Sequence, residues 1–371
     1  MRILLIHSFY KPGLPSGEND VVLNQVDLLR SRGYDVELWG PTSPDVMGAV
    51  DQLKIGLRVA TGRGQDPQPF IKSFKPDLIH VHNLFPNISM QWLAQYEAPV
   101  AMSIHNYRTV CANAVFIRDS RPCTDCLTGS SRNALVHGCY RGSRAATLPV
   151  VGFQRHLRSV IDRSVDMLIF TSELSEEILS PRLAHRSSVV LPNFVAEVHP
   201  KVSSVPASVE PYYVVLGRLT PEKGVEQLLR MWPRHRKLVI VGDGPLRPEL
   251  ERLANPAVVE FSGFVESDVR DDLLRNATAL VLPSVTLEAD PVVVAQALSA
   301  GTPCVVNAQT ASARLADGSP AVRIYDDAES LETALAGLEG ETVRTAARAL
   351  YEERWSADSW LRTYESQVLP R

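Results

Sequence analysis

Two short stretches hold the residues best suited to chemistry. Leu216-Gly217-Arg218-Leu219-Thr220-Pro221-Glu222-Lys223-Gly224 closes an apolar run, places two cations five residues apart and leads into a helical pattern. Arg holds phosphate oxygens bidentately and Lys supplies a compact point charge, so the pair suits a diphosphate and the negative charge that grows on a departing one. Taken alone, the same pair reads as a solvated helix start. The second stretch runs from Ser284 to Pro303 and puts a lone acid, Glu288, at the mouth of another predicted helix. Asp290 and Pro291 have the chemistry of an N-cap and first helical residue there, and Gly301 that of a stop. That helix carries Gln296.

Other candidates lie where apolar runs end. His7 to Asp20 holds Gly13 and Gly17 ahead of a predicted helix, a setting in which backbone can approach an anionic ligand or simply turn at the surface. His105, Asn106, Tyr107 and Arg108 follow Ile104; a strand-end position raises the functional odds of His105 above those of an ordinary structural histidine. His80 and His82, two apart, share one strand face and read as packing or polar lining, since no third metal ligand accompanies them. Val241-Gly242-Asp243-Gly244-Pro245 lacks the third glycine of a dinucleotide fingerprint, which disfavours a nicotinamide enzyme.

Four of the five cysteines, Cys111, Cys123, Cys126 and Cys139, crowd into one segment. The Cys123-x2-Cys126 knuckle suits a structural Zn2+, with His137 as a substitute ligand, while the outer spacings match no finger pattern; free thiols or two disulfides stand equal to zinc.

The elements that must position these groups are short apolar strands alternating with helices. Strands are predicted over Arg2 to His7, Val36 to Trp39, Leu78 to Val81, Val100 to Ile104, Met167 to Phe170 and Ser188 to Leu191, with a helix from Glu18 to about Arg32 stopped at Gly33. Each run is continuously apolar, as in a sheet covered on both faces. Prolines and serines interrupt the pattern from Val195 to Pro211. It restarts with strands over Tyr213 to Leu216, Leu238 to Val241, Val258 to Phe261, Ala279 to Leu282 and Cys304 to Val306. The fold class is therefore α/β, two doubly wound parallel-sheet domains. The expected division is 1–195, with a Cys-rich insertion at 107–143, a linker at 196–211, a second domain at 212–356 and a last helix at 357–371. In that helix Trp360, Leu361, Tyr364 and Val368 form an apolar stripe that needs a partner surface.

A chain of 371 residues exceeds one comfortable core. With 45% apolar residues, 22% charged and a net charge of -4, it is neither disordered nor a general polyanion binder, so nucleic acid is not an expected partner. No apolar run approaches the ~18 residues of a membrane span. The expectation is a cytoplasmic protein, at most peripheral on the inner face of the membrane. An Arg-rich stretch from Arg118 to Arg163 would meet anionic lipid if the acceptor is lipid-linked, and is otherwise a solvated face.

In order along the chain, Ser16-Gly17-Glu18, His80-x-His82, His105-Asn106-Tyr107-Arg108, Pro192-Asn193, Gly217-Arg218-x4-Lys223-Gly224, Val241 to Pro245, Gly263-Phe264-Val265 and Pro283-Ser284 through Gly301-x-Pro303 resemble the retaining glycosyltransferases of family 4. The cysteine-bearing segment looks like one branch of that family. The resemblance spans nearly the whole chain and implies the GT-B architecture, two Rossmann-like domains facing across a cleft. It further implies a sugar nucleotide, UDP- or GDP-linked, held mainly by the second domain, with the hydroxyl acceptor on the first and no catalytic metal.

By that likeness Arg218 and Lys223 hold the diphosphate, Gly17 and Gly242 approach the nucleotide through backbone, and Phe264 and Val265 border the base. His105 approaches the donor sugar and Glu288 contacts its hydroxyls. The family's second acid, eight residues on, is Gln296 here, which keeps hydrogen bonding but loses the charge-assisted part, roughly a factor of two in strength. The implied activity is transfer of a sugar with retention of anomeric configuration, in polysaccharide, glycoconjugate or glycosylated-metabolite synthesis. Gln296 keeps a second reading open, a catalytically impaired nucleotide-sugar-binding protein, and a GT-B sugar-nucleotide epimerase is a third.

Overall fold

The computed structural model describes residues 1–10, 16–43, 48–96, 98–119, 121–183, 187–198 and 210–370. Residues 11–15 of the first glycine-bearing loop and 199–209 of the expected linker lie outside them. The chain splits into two compact units, one of Met1–Phe116, Cys123–Pro192 and Leu361–Arg371, the other of Ile117–Pro122 and Asn193–Trp360.

In the first unit six parallel strands, β1 (Arg2–His7), β2 (Asp35–Trp39), β3 (Leu78–Asn83), β4 (Val100–Ile104), β5 (Met167–Phe170) and β6 (Ser188–Val190), lie in the order β2-β1-β3-β4-β5-β6. Ile3, Leu4, Leu5 and Ile6 are all fully buried, on both faces of the pleat, which is why this strand reads as an unbroken apolar run. Helix α1 (Gly17–Ser31) starts where Ser16 Oγ accepts from the Asn19 amide at 3.3 Å, and the chain leaves it through Gly33 at φ +85°. Helices α2 (Ala49–Thr61) and α3 (Arg144–Ser164) pack together, with Gly152 against Ala60.

In the second unit β7 (Tyr212–Leu216), β8 (Lys237–Val241), β9 (Val259–Gly263), β10 (Ala279–Leu282), β11 (Cys304–Asn307) and β12 (Val322–Tyr325) form an all-parallel sheet in the order β9-β8-β7-β10-β11-β12. Helices α4 (Val225–Met231) and α5 (Val292–Ser299) pack on it. Val214, Leu280, Leu298, Cys304 and Val306 are fully buried in one core cluster. Burial of each large aliphatic side chain stabilises by about 1.5–3 kcal/mol.

Two expectations change in detail. Helix α5 begins one residue later than Asp290 and Pro291 imply: Pro291 is the N-cap, because the Asp290 carboxylate accepts instead from the Asn193 backbone N at 2.9 Å and its side-chain Nδ2 at 3.0 Å. After α6 (Ala357–Thr363) the helix widens into a π turn, Tyr364–Val368. The stripe residues Trp360, Leu361, Tyr364 and Val368 are all buried: Trp360 lies 5.4 Å from the Phe194 ring within the second unit, and Tyr364 lies 5.6 Å from His80 within the first.

Candidate functional site

The strand order of each sheet reverses at one point, β7 against β10 in the second unit and β1 against β3 in the first. Ligands of open α/β sheets bind outside the carboxyl ends of the strands at such points. The loops leaving β7 and β10 carry Arg218, Lys223 and Glu288; in the first unit Gly17 opens α1, His82 lies at the carboxyl end of β3, and His105 follows β4.

In the second unit the loops are locked together by backbone. Gly217 N donates to Val241 O at 3.0 Å, Leu219 N to Asp243 O at 2.9 Å, Gly242 N to Gly263 O at 2.8 Å and Val285 N to Glu222 O at 3.1 Å. A Cβ at Gly242 would stand 1.9 Å from Gly217 O, and one at Gly224, at φ +67°, 2.0 Å from Pro283 O. The glycines thus let the loops approach one another, a role that spacing alone cannot separate from approach to a ligand.

Within this frame Lys223 Nζ forms a short ion pair with Glu288 Oε1, which also accepts from Ser284 Oγ at 2.8 Å. Among the described residues Glu288 Oε2 is buried with no hydrogen-bond partner, an acceptor left open. Arg218 differs: its side chain is 69% exposed, against 28% for Lys223, and among the described residues it meets Glu222 at 3.5 Å. Lys223 is therefore fixed, whereas Arg218 is available to an incoming anion. Glu222, held by Thr220 Oγ1 at 2.7 Å, and Ser284 touch these groups, contacts to which sequence reading gave no weight because they are fixed only by the loop geometry. Gln296 is half-buried on α5, its backbone carbonyl accepting from Ser299 Oγ at 2.8 Å. Phe264 is exposed, while Val265 packs on the second unit's core.

In the first unit the carboxyl ends of β1, β3 and β4 gather four histidines. His82 Nδ1 and His105 Nε2 are 2.9 Å apart, His80 Nε2 meets Ser103 Oγ at 2.8 Å, His80 Nδ1 meets Tyr364 OH at 3.2 Å, and His7 Nε2 meets Asn19 Oδ1 at 3.0 Å. Burial is the main cause holding these rings below their ordinary value, His7 to about 4 and His80 and His105 to about 3, with His82 also far below. His105 is therefore a neutral hydrogen-bonding ring at pH 7, not an imidazolium acid. Gly17 stands in open space, with nothing within 4 Å of where a Cβ would lie, so its backbone is approachable.

The neutral rings make stability acid-sensitive. Their folded values lie below the ~6.5 of an unfolded histidine, so the unfolded chain binds more protons between the two. The contribution is complete above pH ~6.5 and is lost as pH falls toward 4 and 3. At pH 5 each of the fully buried His7 and His80 is expected to destabilise the fold by about 2 kcal/mol. Thermal melting between pH 7.5 and 5 checks this; an unchanged midpoint contradicts it.

Glu18, named from sequence only as part of the Ser16-Gly17-Glu18 landmark, lies in the first turn of α1. Burial raises its carboxyl to about 7 against a 3.1 Å hydrogen bond from Tyr10 OH, and its Oε1 is buried without a partner. Asp290 is likewise raised to about 7 by burial, opposed by its bonds from Asn193.

The zinc reading of Cys111, Cys123, Cys126 and Cys139 finds no support in the structure, and the free-thiol alternative fits it. Among the described residues no group of three or more His, Cys, Asp or Glu is arranged to hold a metal ion, and none of the five cysteines is joined in a disulfide. Cys111 Sγ donates to Asn113 Oδ1 at 2.8 Å, and burial raises the thiol of Cys111 and, to about 11, that of Cys126.

Residues 210–339 match the family Glycosyl transferases group 1. The phosphatidyl-myo-inositol mannosyltransferase of Mycolicibacterium smegmatis is 25% identical over 96% of this chain and 92% of that protein. A GDP-mannose-dependent alpha-mannosyltransferase of the same organism is 27% identical over 71% and 68%. An uncharacterized glycosyltransferase of Methanocaldococcus jannaschii is 41% identical, over only 26% of this chain and 27% of its own length. Among solved structures, sucrose-phosphate synthase from Thermosynechococcus elongatus superposes with a TM-score of 0.70 at 16% identity, covering 98% of this chain and 97% of that one. Anabaena HepE in complex with UDP and glucose superposes at 0.61 and 16%, covering 99% of both chains. The fold is GT-B, and residues 210–339 carry the likeness to the group 1 glycosyltransferases.

Proposed function

We propose that the chain transfers a sugar from a nucleoside diphosphate sugar to an acceptor hydroxyl with retention of anomeric configuration, as a family 4 enzyme. The observation that carries this reading is the Lys223–Glu288 pair at the switch point of the second sheet, beside an exposed Arg218 and with Glu288 Oε2 unpartnered. In the proposed reaction the bond between the anomeric carbon and the diphosphate oxygen breaks, and its electron pair stays on the phosphate. Arg218 and Lys223 stabilise that charge. The acceptor oxygen enters on the same face, and its proton passes to the departing diphosphate oxygen. Glu288 Oε2 takes a sugar hydroxyl, Gly17 and Gly242 present backbone to the nucleotide, Phe264 and Val265 border its base, and His105 offers a neutral ring nitrogen to the sugar.

The relatives' names direct the choice of substrates. GDP-mannose and UDP-glucose are the first donors to assay, and a hydroxyl on a lipid-linked polyol is the first acceptor. Incubation with a panel of GDP- and UDP-sugars, read by mass spectrometry, is expected to release nucleoside diphosphate from one donor slowly without acceptor and faster with it. Release from none overturns the proposal.

Gln296 favours one second reading, a nucleotide-sugar-binding protein without transfer. Gln296→Glu discriminates: under the transferase reading both forms turn over and the variant binds donor more tightly, whereas turnover seen only in the variant supports the binding protein.

A further inference from the structure

The first unit carries an apolar surface that the transfer site does not use. On α2, Val50, Leu53 and Leu57 recur at helical spacing and are 65%, 75% and 65% exposed. Only Val59 of that helix is buried among those with described side chains, so α2 lies on the surface and is held there by α3.

The two helices meet along matching positions. The Pro149 ring is 3.5 Å from where a Cβ on Gly56 would stand, and His156 is 3.5 Å from the same point on Gly62. Positions 56 and 62 thus pair with 149 and 156, so the helices run in the same direction. The stripe of α2 and the outer face of α3 then open to one side. On that face of α3 stand Arg144, Leu148 and Arg155, all exposed, with Leu148 at 61%.

Basic residues frame the apolar ones. Lys54 and Arg58 border the α2 stripe and are exposed. Residues 123–163 hold six Arg (132, 141, 144, 155, 158 and 163) against two Asp (125 and 162), a net +4 in a chain whose total is -4. Large aliphatic side chains set among cations on a surface helix match the boundary between lipid headgroups and acyl chains. A second copy of this chain fits worse, since a two-fold contact through this patch would set its cations against themselves.

We propose that the outer faces of α2 and α3 dock on an anionic lipid bilayer, with Leu53, Leu57 and Leu148 entering the headgroup region and Lys54, Arg144 and Arg155 meeting lipid phosphates. The surface is independent of donor chemistry. Flotation with vesicles of phosphatidylcholine and phosphatidylglycerol in equal parts, against vesicles of phosphatidylcholine alone, tests it. The wild-type chain is expected to float with the mixed vesicles only, and to be released by high salt.

Leu53→Asp with Leu57→Asp, and separately Arg144→Glu with Arg155→Glu, are each expected to lower the partition at least about tenfold. These side chains are exposed, so the melting midpoint and donor hydrolysis should stay at wild-type values. Failure of the wild-type chain to bind the mixed vesicles, or undiminished binding by both variants, overturns the proposal. So does self-association of the wild-type chain that the Leu53→Asp, Leu57→Asp variant abolishes, because the patch is then an interface between copies.

Discussion

Lys223→Ala is expected to lower turnover about a hundred- to a thousandfold, the usual effect of deleting one fixed group that stabilises charge developing in a transition state. The geometry explains why the effect should exceed that of Arg218→Ala. Lys223 is held by Glu288 in a partly buried position, whereas Arg218 is mostly exposed and its field is screened by water. The fold should survive, because the loops are tied by the backbone hydrogen bonds of Gly217, Leu219, Gly242 and Val285, none of which involves the lysine side chain. A melting midpoint within about 4 °C of wild type corresponds to a change of about 1 kcal/mol in a domain of this size. Wild-type turnover in Lys223→Ala removes Lys223 from the mechanism.

Glu288→Gln is the second large expected effect, about a hundredfold in turnover, and it reads the pair rather than the cation. The amide keeps an oxygen for Ser284 Oγ but gives up the charge that orients Lys223, and it changes the group offered to a sugar hydroxyl at the open Oε2 position. Since the two side chains act on each other, the Lys223→Ala, Glu288→Gln double variant should lose far less than the product of the single losses. A coupling of about 1–3 kcal/mol is the range for contacting residues. Losses that multiply would mean that the ion pair is incidental to catalysis.

The strands were legible where burial is two-sided. Ile3 to Ile6 and Val214 to Leu216 are apolar without interruption because both faces of their sheets are covered. Strand β12 escaped notice for the opposite reason: at the sheet edge, Val322-Arg323-Ile324-Tyr325 buries only its two ends. The start of α5 shifted because Asp290 has a stronger claim on it, from Asn193, than the helix has, and a contact 97 residues away leaves no local signal.

The candidate site follows the same division. Arg218, Lys223 and Glu288 were identifiable by residue type, spacing and order, yet the ion pair that joins Lys223 to Glu288 spans 65 residues and appears only once β7 and β10 are neighbours. His105 was legible as a strand-end residue, while its neutral state depends on burial and, less, on the charge of His7, neither of which sequence can supply. The four cysteines left zinc, free thiols and disulfides level because a Cys-x2-Cys knuckle constrains only two ligands. Whether a third and fourth converge is decided by the fold of the intervening segment.

Everything proposed for the chemistry depends on Arg218 and Lys223 forming a diphosphate site. Calorimetric titration of UDP and GDP into the wild-type chain and into the Arg218→Ala, Lys223→Ala double variant tests this without any need to know the acceptor. At least one nucleotide is expected to bind the wild-type chain, with an affinity that falls at least about a hundredfold, about 2.7 kcal/mol, in a double variant of unchanged melting midpoint. Binding of neither nucleotide, or equal affinity in both proteins, would contradict it.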